Sequence, residues 1–338
     1  FDWYQKNTKD WLVNAPVMGH FGTGAPYING GDVRNSGVEL SLNWSDAIGK
    51  DFSYSIGVNG SYNKNRVTRI ANDECIIHGP GSVVQGIDEI YRAQVGYPIG
   101  YFWAYKTAGV FQNQAEIDQW VAAGNPVMSS PAQPGDLKFV DYNNDGVINN
   151  SDKQYWGNWM PHSNYALSAG FNWKGLSASM MLQGVAGAKA FYPGKLYLVN
   201  EANVGFNRSA EILNAWTPEN TDTNIPRLTT QDPNGNFATT STWYLEDASY
   251  VRIKNVTVGY DFTNLLRKAG HFDERGSRLS VYFSGENLWT WSPMYKLTKD
   301  WDVVTVTKKS DTDIDNGRGD GFNYPAMKSF SFGISITY

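Results

Sequence analysis

One segment of the chain has the residue types and the spacing of a calcium-binding loop. Residues 141–152 read DYNNDGVINNSD, with oxygen-bearing side chains at alternate positions and Gly146 at the sharp turn. Ile148 is expected to pack into the protein core. The predicted calcium ligands are the side chains of Asp141, Asn143, Asp145, Asn149 and Asp152 and the main-chain carbonyl of Val147.

The last position of this loop departs from the usual pattern. Asp152 stands where calcium loops carry Glu, so its shorter side chain is expected to give one oxygen where Glu gives two. Pro131 and Pro134 prevent a helix from leading into the loop, and residues 137–140 look extended. We therefore predict that a calcium ion holds this loop in one fixed conformation, and that its binding does not open a pair of helices as in a calcium switch. The competing interpretation is an Asx-rich turn that binds no metal.

The sequence contains none of the common catalytic motifs. It has no G-x-S-x-G, no Walker loop, no H-E-x-x-H and no CxxC. Cys75 is the only cysteine, which excludes an intrachain disulfide and a cysteine-based zinc site. Asp300, Asp302 and Glu286 carry carboxylates, the group that glycosidases use as acid and nucleophile. Nothing in their spacing indicates that they share a pocket, so they are weak evidence for a glycosidase. We predict that the chain is not an enzyme.

The composition excludes other classes of protein. The net charge is -5 and the basic residues form no stripe, which argues against nucleic-acid binding. No apolar run reaches the roughly 20 residues that a transmembrane helix needs. Charged residues make up 18% of the chain, against about 25% in a typical soluble domain. The 34 glycines and 14% aromatic residues favour β-structure with many turns.

Strict alternation of large apolar and small polar residues is the dominant pattern, and it predicts β-strands with two different faces. The small polar residues are mainly Ser, Gly, Asn and Thr, which suit a wet barrel lumen better than the charged surface of a soluble sheet. The alternating segments are 38–44, 52–62, 165–173, 176–182, 249–262, 278–290 and 330–338, with an opening strand near residues 1–12.

Aromatic residues near the strand ends have the positions of an interfacial girdle. They are Trp44, Phe52, Tyr62, Trp173, Phe262 and Tyr338. Together with the alternation, they predict an all-β fold, a transmembrane antiparallel β-barrel whose closed sheet pairs every backbone group within the lipid. About eight crossing strands are present, and the long loops favour the end of a wider barrel over a closed eight-stranded one.

Loop lengths predict which end of the barrel faces the cell exterior, because periplasmic turns are short and extracellular loops long. The connections 45–51 and 174–175 are short, so we place residues 65–160, 186–246 and 292–324 outside the cell. Aromatic side chains in these loops are candidate contacts for a ligand or partner, although loop packing is an alternative role. They are Tyr101, Trp103, Trp156, Trp159, Trp216 and Trp301.

Several segments together resemble the SusC/RagA-type TonB-dependent outer-membrane transporters of Bacteroidota, over nearly the whole chain. The matching segments are NSGVELSLNW at 35–44, VGYPIGYFWAYKTAGVF at 95–111, GDLKFVDYNNDGVINNSD at 135–152, AWTPENTDTNIPRL at 215–228, YVRIKNVTVGYDF at 250–262, SGENLWTWS at 284–292 and the ending YPAMKSFSFGISITY. The DWDVV at 300–304 departs from the Asp-Pro-Glu of many relatives.

The resemblance implies a barrel of about 22 strands, of which residues 1–338 form the C-terminal part. It also implies import of oligosaccharides or peptides, driven through TonB, with a SusD-like lipoprotein as a lid over the outer mouth. The plug and the TonB-contacting segment of the family are not expected within these residues. The rival hypotheses from the residues alone are a soluble, secreted, calcium-stabilised glycan-binding or adhesion domain and, more weakly, a surface glycosidase.

Overall fold

The computed structural model describes residues 1–14, 27–79, 87, 89–201, 205, 207–270, 277–296, 302–303 and 326–337. These residues form 16 strands and three short α-helices. The strands are β1 (Asp2–Asn14), β2 (Tyr27–Ile48), β3 (Phe52–Ile70), β4 (Ile76–His78), β5 (Tyr91–Gln94), β6 (Tyr101–Ala104), β7 (Thr107–Val110), β8 (Leu137–Phe139), β9 (Gln154–Asn158), β10 (Ser163–Trp173), β11 (Leu176–Ala186), β12 (Lys189–Phe191), β13 (Leu245–Asp247), β14 (Tyr250–Asp261), β15 (Arg278–Trp291) and β16 (Ser329–Thr337). The helices are α1 (Gln114–Ala122), α2 (Gly194–Leu198) and α3 (Thr263–Lys268).

Eight of the strands form one antiparallel sheet, in the order β1-β2-β3-β10-β11-β14-β15-β16. The eight crossing strands predicted from the alternation are the eight strands of this sheet. Two of them are longer than predicted, because β2 has 22 residues and β3 continues to Ile70. The segment that we placed outside the barrel from residue 65 therefore begins within β3.

The strand register aligns the alternating residues across the sheet. Leu42 pairs with Val58, Val58 with Leu167, and Leu167 with Leu182, so one row of apolar side chains crosses four strands on the same face. The next positions carry Ser, Asn and Gly on the other face. A register shift of one residue would exchange the two faces, so this pairing is tightly specified by the sequence.

The apolar face of the sheet is bare. Val58 is 41% exposed, Trp44 61% and Phe332 68%, although a soluble protein would bury side chains of this size. No second layer covers this face within the described part of the chain. Among the same residues, no α-helix is both long enough and apolar enough to cross a membrane.

The inserted segments cover the polar face instead, at one end of the sheet. Val33 and Val67 point to that face and are buried against Ile77, Ala93 and neighbouring side chains of the segment that follows β3. Tyr250, at the start of β14, is buried with Met294 and Val303 from the segment that follows β15. The inserted segments therefore pack on the polar face of the sheet, and no described segment packs on its apolar face.

The inserted segments build their own compact region from small sheets. β4, β5, β6 and β9 form a four-stranded sheet, and β7 pairs with β8 and β12 with β13. Their shared core contains Phe102, Phe139, Phe191, Phe237 and Tyr244. Asn113 caps α1 by accepting a hydrogen bond from the Glu116 amide.

The two ends of the sheet differ in the length of their connections. β2 joins β3 through residues 49–51, and β10 joins β11 through Lys174 and Gly175, both at positive φ. The connection from β14 to β15 lies at the same end and contains α3. The long connections, residues 71–162, 187–249 and 292–328, all leave from the other end. The long connections thus share one end of the sheet, as the parity argument requires, and the side of the membrane that this end faces stays a prediction.

Candidate functional site

The polar face of the eight-stranded sheet is a wall of hydroxyl and amide groups. On β2 and β3, the Ser41 hydroxyl donates to Asn59 Oδ1 at 2.7 Å. On β14 and β15, Asn255 Nδ2 donates to Ser284 Oγ at 3.1 Å, and Thr257 Oγ1 lies 2.8 Å from the same hydroxyl. Each of these groups keeps further hydrogen-bonding capacity. The wall can therefore hydrate, or bind, a polar solute along its length.

Two ion pairs in and above this wall were not anticipated from the sequence, and of their four side chains only that of Arg227, 18% exposed, is not fully buried. Arg252, on the polar face of β14, donates to both carboxylate oxygens of Asp302 at 2.8 Å, and each side chain is 4% exposed. Arg227 donates to Asp136 at 2.7 Å in the inserted region. The partners are 50 and 91 residues apart in the chain, so no local spacing could have indicated either pair.

The loop at 141–152 has the hydrogen-bonding pattern of a tight, oxygen-rich turn. Asp141 accepts from the amides of Asn144 at 2.7 Å and Gly146 at 2.8 Å. Gly146 has a φ of 85°, as the predicted turn requires. Asp145 accepts from Asn143 Nδ2 at 2.9 Å and from the Val147 amide at 3.0 Å, and these bonds lower the pKa of its exposed carboxyl. The carboxylates of the loop are thus held in place by the main-chain and side-chain amides of the same loop.

The amide of Asn149 lies between two oxygen acceptors of this loop. Its Nδ2 is 3.4 Å from Asp145 Oδ2 and 3.3 Å from the Val147 carbonyl oxygen. Ile148 is partly buried against the main core of the inserted region, as predicted. Within the described residues, no group of three or more His, Cys, Asp or Glu side chains is arranged to hold a metal ion. Any cation here would depend on amide and main-chain oxygens as well.

Asp152 closes the loop from inside the protein. Its side chain is fully buried and accepts from the amides of Tyr142 and Asn149, at 2.9 Å and 2.8 Å. It also forms a reciprocal capping box with Asn149 at the short 3-10 helix of residues 150–152. Oδ1 accepts two amides, counting a 3.3 Å bond from Asn143, and Oδ2 accepts one. One acceptor position therefore remains on Oδ2.

The candidate aromatic contacts are dispersed through the inserted region rather than gathered in one pocket. Tyr101 is fully buried and donates to Gln94, so in this arrangement it packs and presents no surface to a ligand. Trp103 lies under the Arg92 guanidinium at 4.0 Å, and Trp156 donates to the Ala104 carbonyl. Trp159 is 42% exposed and is the most accessible of the described set.

Trp216 borders a shallow groove of about 490 Å³ with Pro134, Pro218 and Leu228. Its indole nitrogen is buried and has no hydrogen-bond partner among the described residues. Trp301, the remaining candidate contact, lies outside the described residues, as does most of the DWDVV segment. The predicted ligand contacts therefore remain predictions.

Comparison with known sequences aligns the whole chain with proteins named as TonB-dependent receptors. No family model matches the chain. It aligns along its entire length with TonB-dependent receptor P3 of Formosa agariphila at 28% identity, covering 32% of that protein. It aligns equally fully with the TonB-dependent receptor SusC of Bacteroides thetaiotaomicron at 23% identity, covering 30% of it. The chain thus spans about a third of the length of the curated relatives it matches.

The fold agrees with solved structures of related architecture. The chain superposes on the RagAB peptide transporter with a TM-score of 0.71 and 21% sequence identity, over 99% of this chain and 32% of that one. A RagAB peptide importer in a closed state gives a TM-score of 0.70. At this level of identity, the likeness establishes the fold. The described sheet corresponds to part of a β-barrel that is not closed by these strands alone.

Proposed function

We propose that this chain, a homologue of the SusC-type TonB-dependent receptors along its full length, is part of a barrel that imports oligosaccharides or peptides across the outer membrane. In this proposal TonB supplies the energy and a SusD-like lipoprotein is the surface partner. Substrate import belongs to the complete receptor, of which these residues are about a third. The relatives' names and the two-faced sheet support the proposal.

Four predictions from the sequence are confirmed by the homology. They are the family, the transmembrane antiparallel β-barrel fold, the outer-membrane location and the absence of an enzymatic function, since the homologues are receptors and transporters. The calcium ligands, the aromatic contacts and the boundaries of the extracellular region stay predictions.

The observation that carries the proposal is the placement of the inserted region on the polar face. If the sheet belonged to a soluble sandwich, its second layer would pack on the large apolar side chains. Here Val33, Val67 and Tyr250, on the polar face, are buried by the inserted segments at one end of the sheet. Val58 and Phe332, on the apolar face, stay exposed. A sheet with this arrangement encloses water and is surrounded by lipid.

The proposed orientation puts the inserted region outside the cell. The short turns at residues 49–51 and 174–175 then face the periplasm, as short barrel turns do. The inserted segments cover the outer mouth of the lumen, where a substrate and a lipoprotein lid would meet them. Trp159 is the best-placed candidate contact because its ring is exposed at that end.

Calcium is the proposed occupant of the loop at 141–152. The donor set fits a hard cation, because carboxylate, amide and carbonyl oxygens are the ligands that calcium prefers. Asp141, Asn143, Asp145, the Val147 carbonyl and Asn149 would hold the ion, and Asp152 would add its remaining acceptor on Oδ2. A bound ion would fix the geometry of the loop and take no part in transport chemistry.

Asp141→Ala or Asp145→Ala is expected to loosen the inserted region and leave the barrel folded. Calcium stabilises only the form that binds it, by about 2.7 kcal/mol at a concentration one hundred times the dissociation constant. Limited proteolysis of the complete receptor with about 1 mM calcium, and again with chelator, measures this stabilisation. Wild type should show calcium-dependent protection that both variants lack.

Asp118→Ala is the matched control, since Asp118 is an exposed acid on α1 and is not one of the residues of the loop. It should keep the calcium response of the wild type. Absence of calcium from wild-type protein by elemental analysis, after equilibration with about 1 mM calcium, would retire the metal site and leave the Asx-rich turn.

The proposed import is tested by deleting the receptor gene and screening growth on single oligosaccharides and peptides. Loss of growth on one nutrient, restored by the complete gene and not by a version lacking its TonB-contacting segment, is the expected result. The soluble alternative makes the opposite physical prediction. A protein that stays folded and monomeric in buffer without detergent would support the secreted binding domain instead.

A further inference from the structure

A polar cleft lies on the lumen wall just below the inserted region. It has a volume of about 480 Å³ and crosses five strands of the main sheet. The register of the sheet places nine of its lining residues in two adjacent rows of the polar face, and the other four, Leu40, Gly60, Tyr165 and Gly184, are the strand positions between those rows. Those that concern its chemistry are Glu39, Ser61, Asn164, Gln183 and Tyr250.

Glu39 is the one charged side chain among the residues that line this cleft. At the β14 side of the cleft the nearest cation is Arg252, which pairs with Gln183 of β11, and at the β1 side Asp2 pairs with Glu39 and places a second carboxylate beside it. Both carboxylate oxygens of Asp302 bind the Arg252 guanidinium, so its charge is neutralised locally. Lys254, further along β14, donates to Asn287 and does not line the cleft. The cleft therefore has a net negative charge.

The groups that face the cleft retain hydrogen-bonding capacity. Glu39 and Asn164 are exposed, and within the described residues neither side chain has a hydrogen bond or an ion pair. Gln183 donates to the Tyr250 hydroxyl at 3.2 Å, and its own side-chain carbonyl oxygen remains available as an acceptor. Such a set accepts hydrogen bonds from hydroxyl groups and offers no cation to an anionic solute.

We infer that this cleft is a subsite for uncharged, hydroxyl-rich solutes and that Glu39 excludes anionic ones from it. The carboxylate accepts hydrogen bonds from sugar hydroxyls, and the amides of Asn164 and Gln183 both donate and accept. A lumen wall whose charges have one sign also lowers the local concentration of solutes that carry the same sign of charge. This inference rests on the proposed import function and narrows its substrates to neutral rather than acidic oligosaccharides.

The charge selectivity can be measured without knowing the natural substrate. The complete receptor is prepared with Cys75→Ser, with any cysteine outside these residues replaced, and with Ala166→Cys as the reporter, because Ala166 lines the cleft and supplies none of its polar side chains. Rates of modification by cationic trimethylammonioethyl and anionic sulfonatoethyl methanethiosulfonate are normalised to N-acetylcysteine. At low salt the cationic reagent should be favoured by about fivefold, and Glu39→Gln should lower that preference to about twofold or less, since the Asp2 carboxylate opposite remains. Leu213→Cys, 83% exposed in the inserted region, is the accessibility control.

Binding is then measured as protection of the reporter by three soluble probes of similar size. Maltotriose should slow modification to the same extent at low salt and in about 0.5 M salt. Trigalacturonate should not protect, and should begin to protect when Glu39→Gln is added. If trilysine is the only probe that protects the reporter, and protects it less in high salt, then the cleft binds amines and not sugars. That result would overturn the inference.

Two further outcomes would also overturn the inference. If Leu213→Cys reacts and Ala166→Cys reacts with neither reagent, the cleft is covered by another part of the receptor. If the reporter reacts with both reagents and no probe protects it, the cleft is an open wall without a subsite. Neither outcome affects the import function, which the growth screen tests separately.

Discussion

Val58→Arg is expected to prevent the receptor from assembling in the membrane, whereas Asn59→Arg on the adjacent position is not. Val58 lies in the apolar row between Leu42 and Leu167, near the middle of the paired length of β3. An arginine at the centre of a lipid-facing strand costs about 2 to 4 kcal/mol, because its charge must leave water or deform the bilayer. Heat-modifiable electrophoretic mobility and the amount of receptor in the outer membrane measure this loss.

The neighbouring substitution makes this a test of which face meets lipid. Asn59 points to the polar face, and its replacement removes one hydrogen bond from Ser41, a loss of about 1 kcal/mol. The two variants introduce the same side chain one residue apart on β3. The β-propensity of the new residue and its distance from the ends of the strand are therefore nearly the same in both. Equal assembly of both variants would show that the apolar row is not in contact with hydrocarbon.

The strands of the main sheet could be predicted from the sequence because their pattern is set by two solvents. Each strand meets lipid on one face and water on the other, so alternation such as that of residues 165–173 appears directly in the residue order. The ends of β2 and β3 were less predictable. Beyond the expected membrane span, Asn35 bonds Asn63 and Asn65 on neighbouring positions, and such polar ladders lack an alternation in size.

The inserted region was less accessible to prediction, for a different reason. Its stability depends on contacts between residues far apart in the chain, such as Lys195 with Glu246 or Arg227 with Asp136. Buried charges of this kind have no local signature, since an isolated Arg or Asp in a polar segment looks like a solvated loop residue. Likewise, the burial of Tyr101 could not be read from a run of aromatic residues that also fits an exposed binding loop.

Asp136 is the centre of a buried polar network that joins two distant segments of the inserted region. Its carboxylate accepts from Arg227 Nε at 2.7 Å, Asn236 Nδ2 at 3.1 Å and the Gln133 amide at 2.9 Å. Asn236 in turn accepts from the Leu137 amide at 2.8 Å. Asp136 is 1% exposed, so water cannot replace these bonds if the carboxylate is removed.

Asp136→Ala is therefore expected to destabilise the inserted region by about 2 to 3 kcal/mol, because it removes a charged acceptor of three hydrogen bonds and leaves the partly exposed Arg227 guanidinium without its carboxylate. Hydrogen exchange of the amides in residues 129–137 and 225–237 of the complete receptor measures the local opening. Asp118→Ala, an exposed acid on α1, should change these rates little. The heat-modifiable mobility of the barrel should be unchanged in both variants, because β10, β11 and their neighbours pair independently of this network.

Adding Arg227→Met to Asp136→Ala should recover part of the lost protection, because the second change removes the uncompensated charge and leaves an apolar side chain of similar length. The double-mutant cycle then reports a coupling free energy between the two residues. If the losses from the two single variants simply add, the guanidinium is already satisfied by solvent. In that case the pair is not what holds residues 129–137 against residues 225–237, and packing around Trp216 and Phe237 would have to account for it.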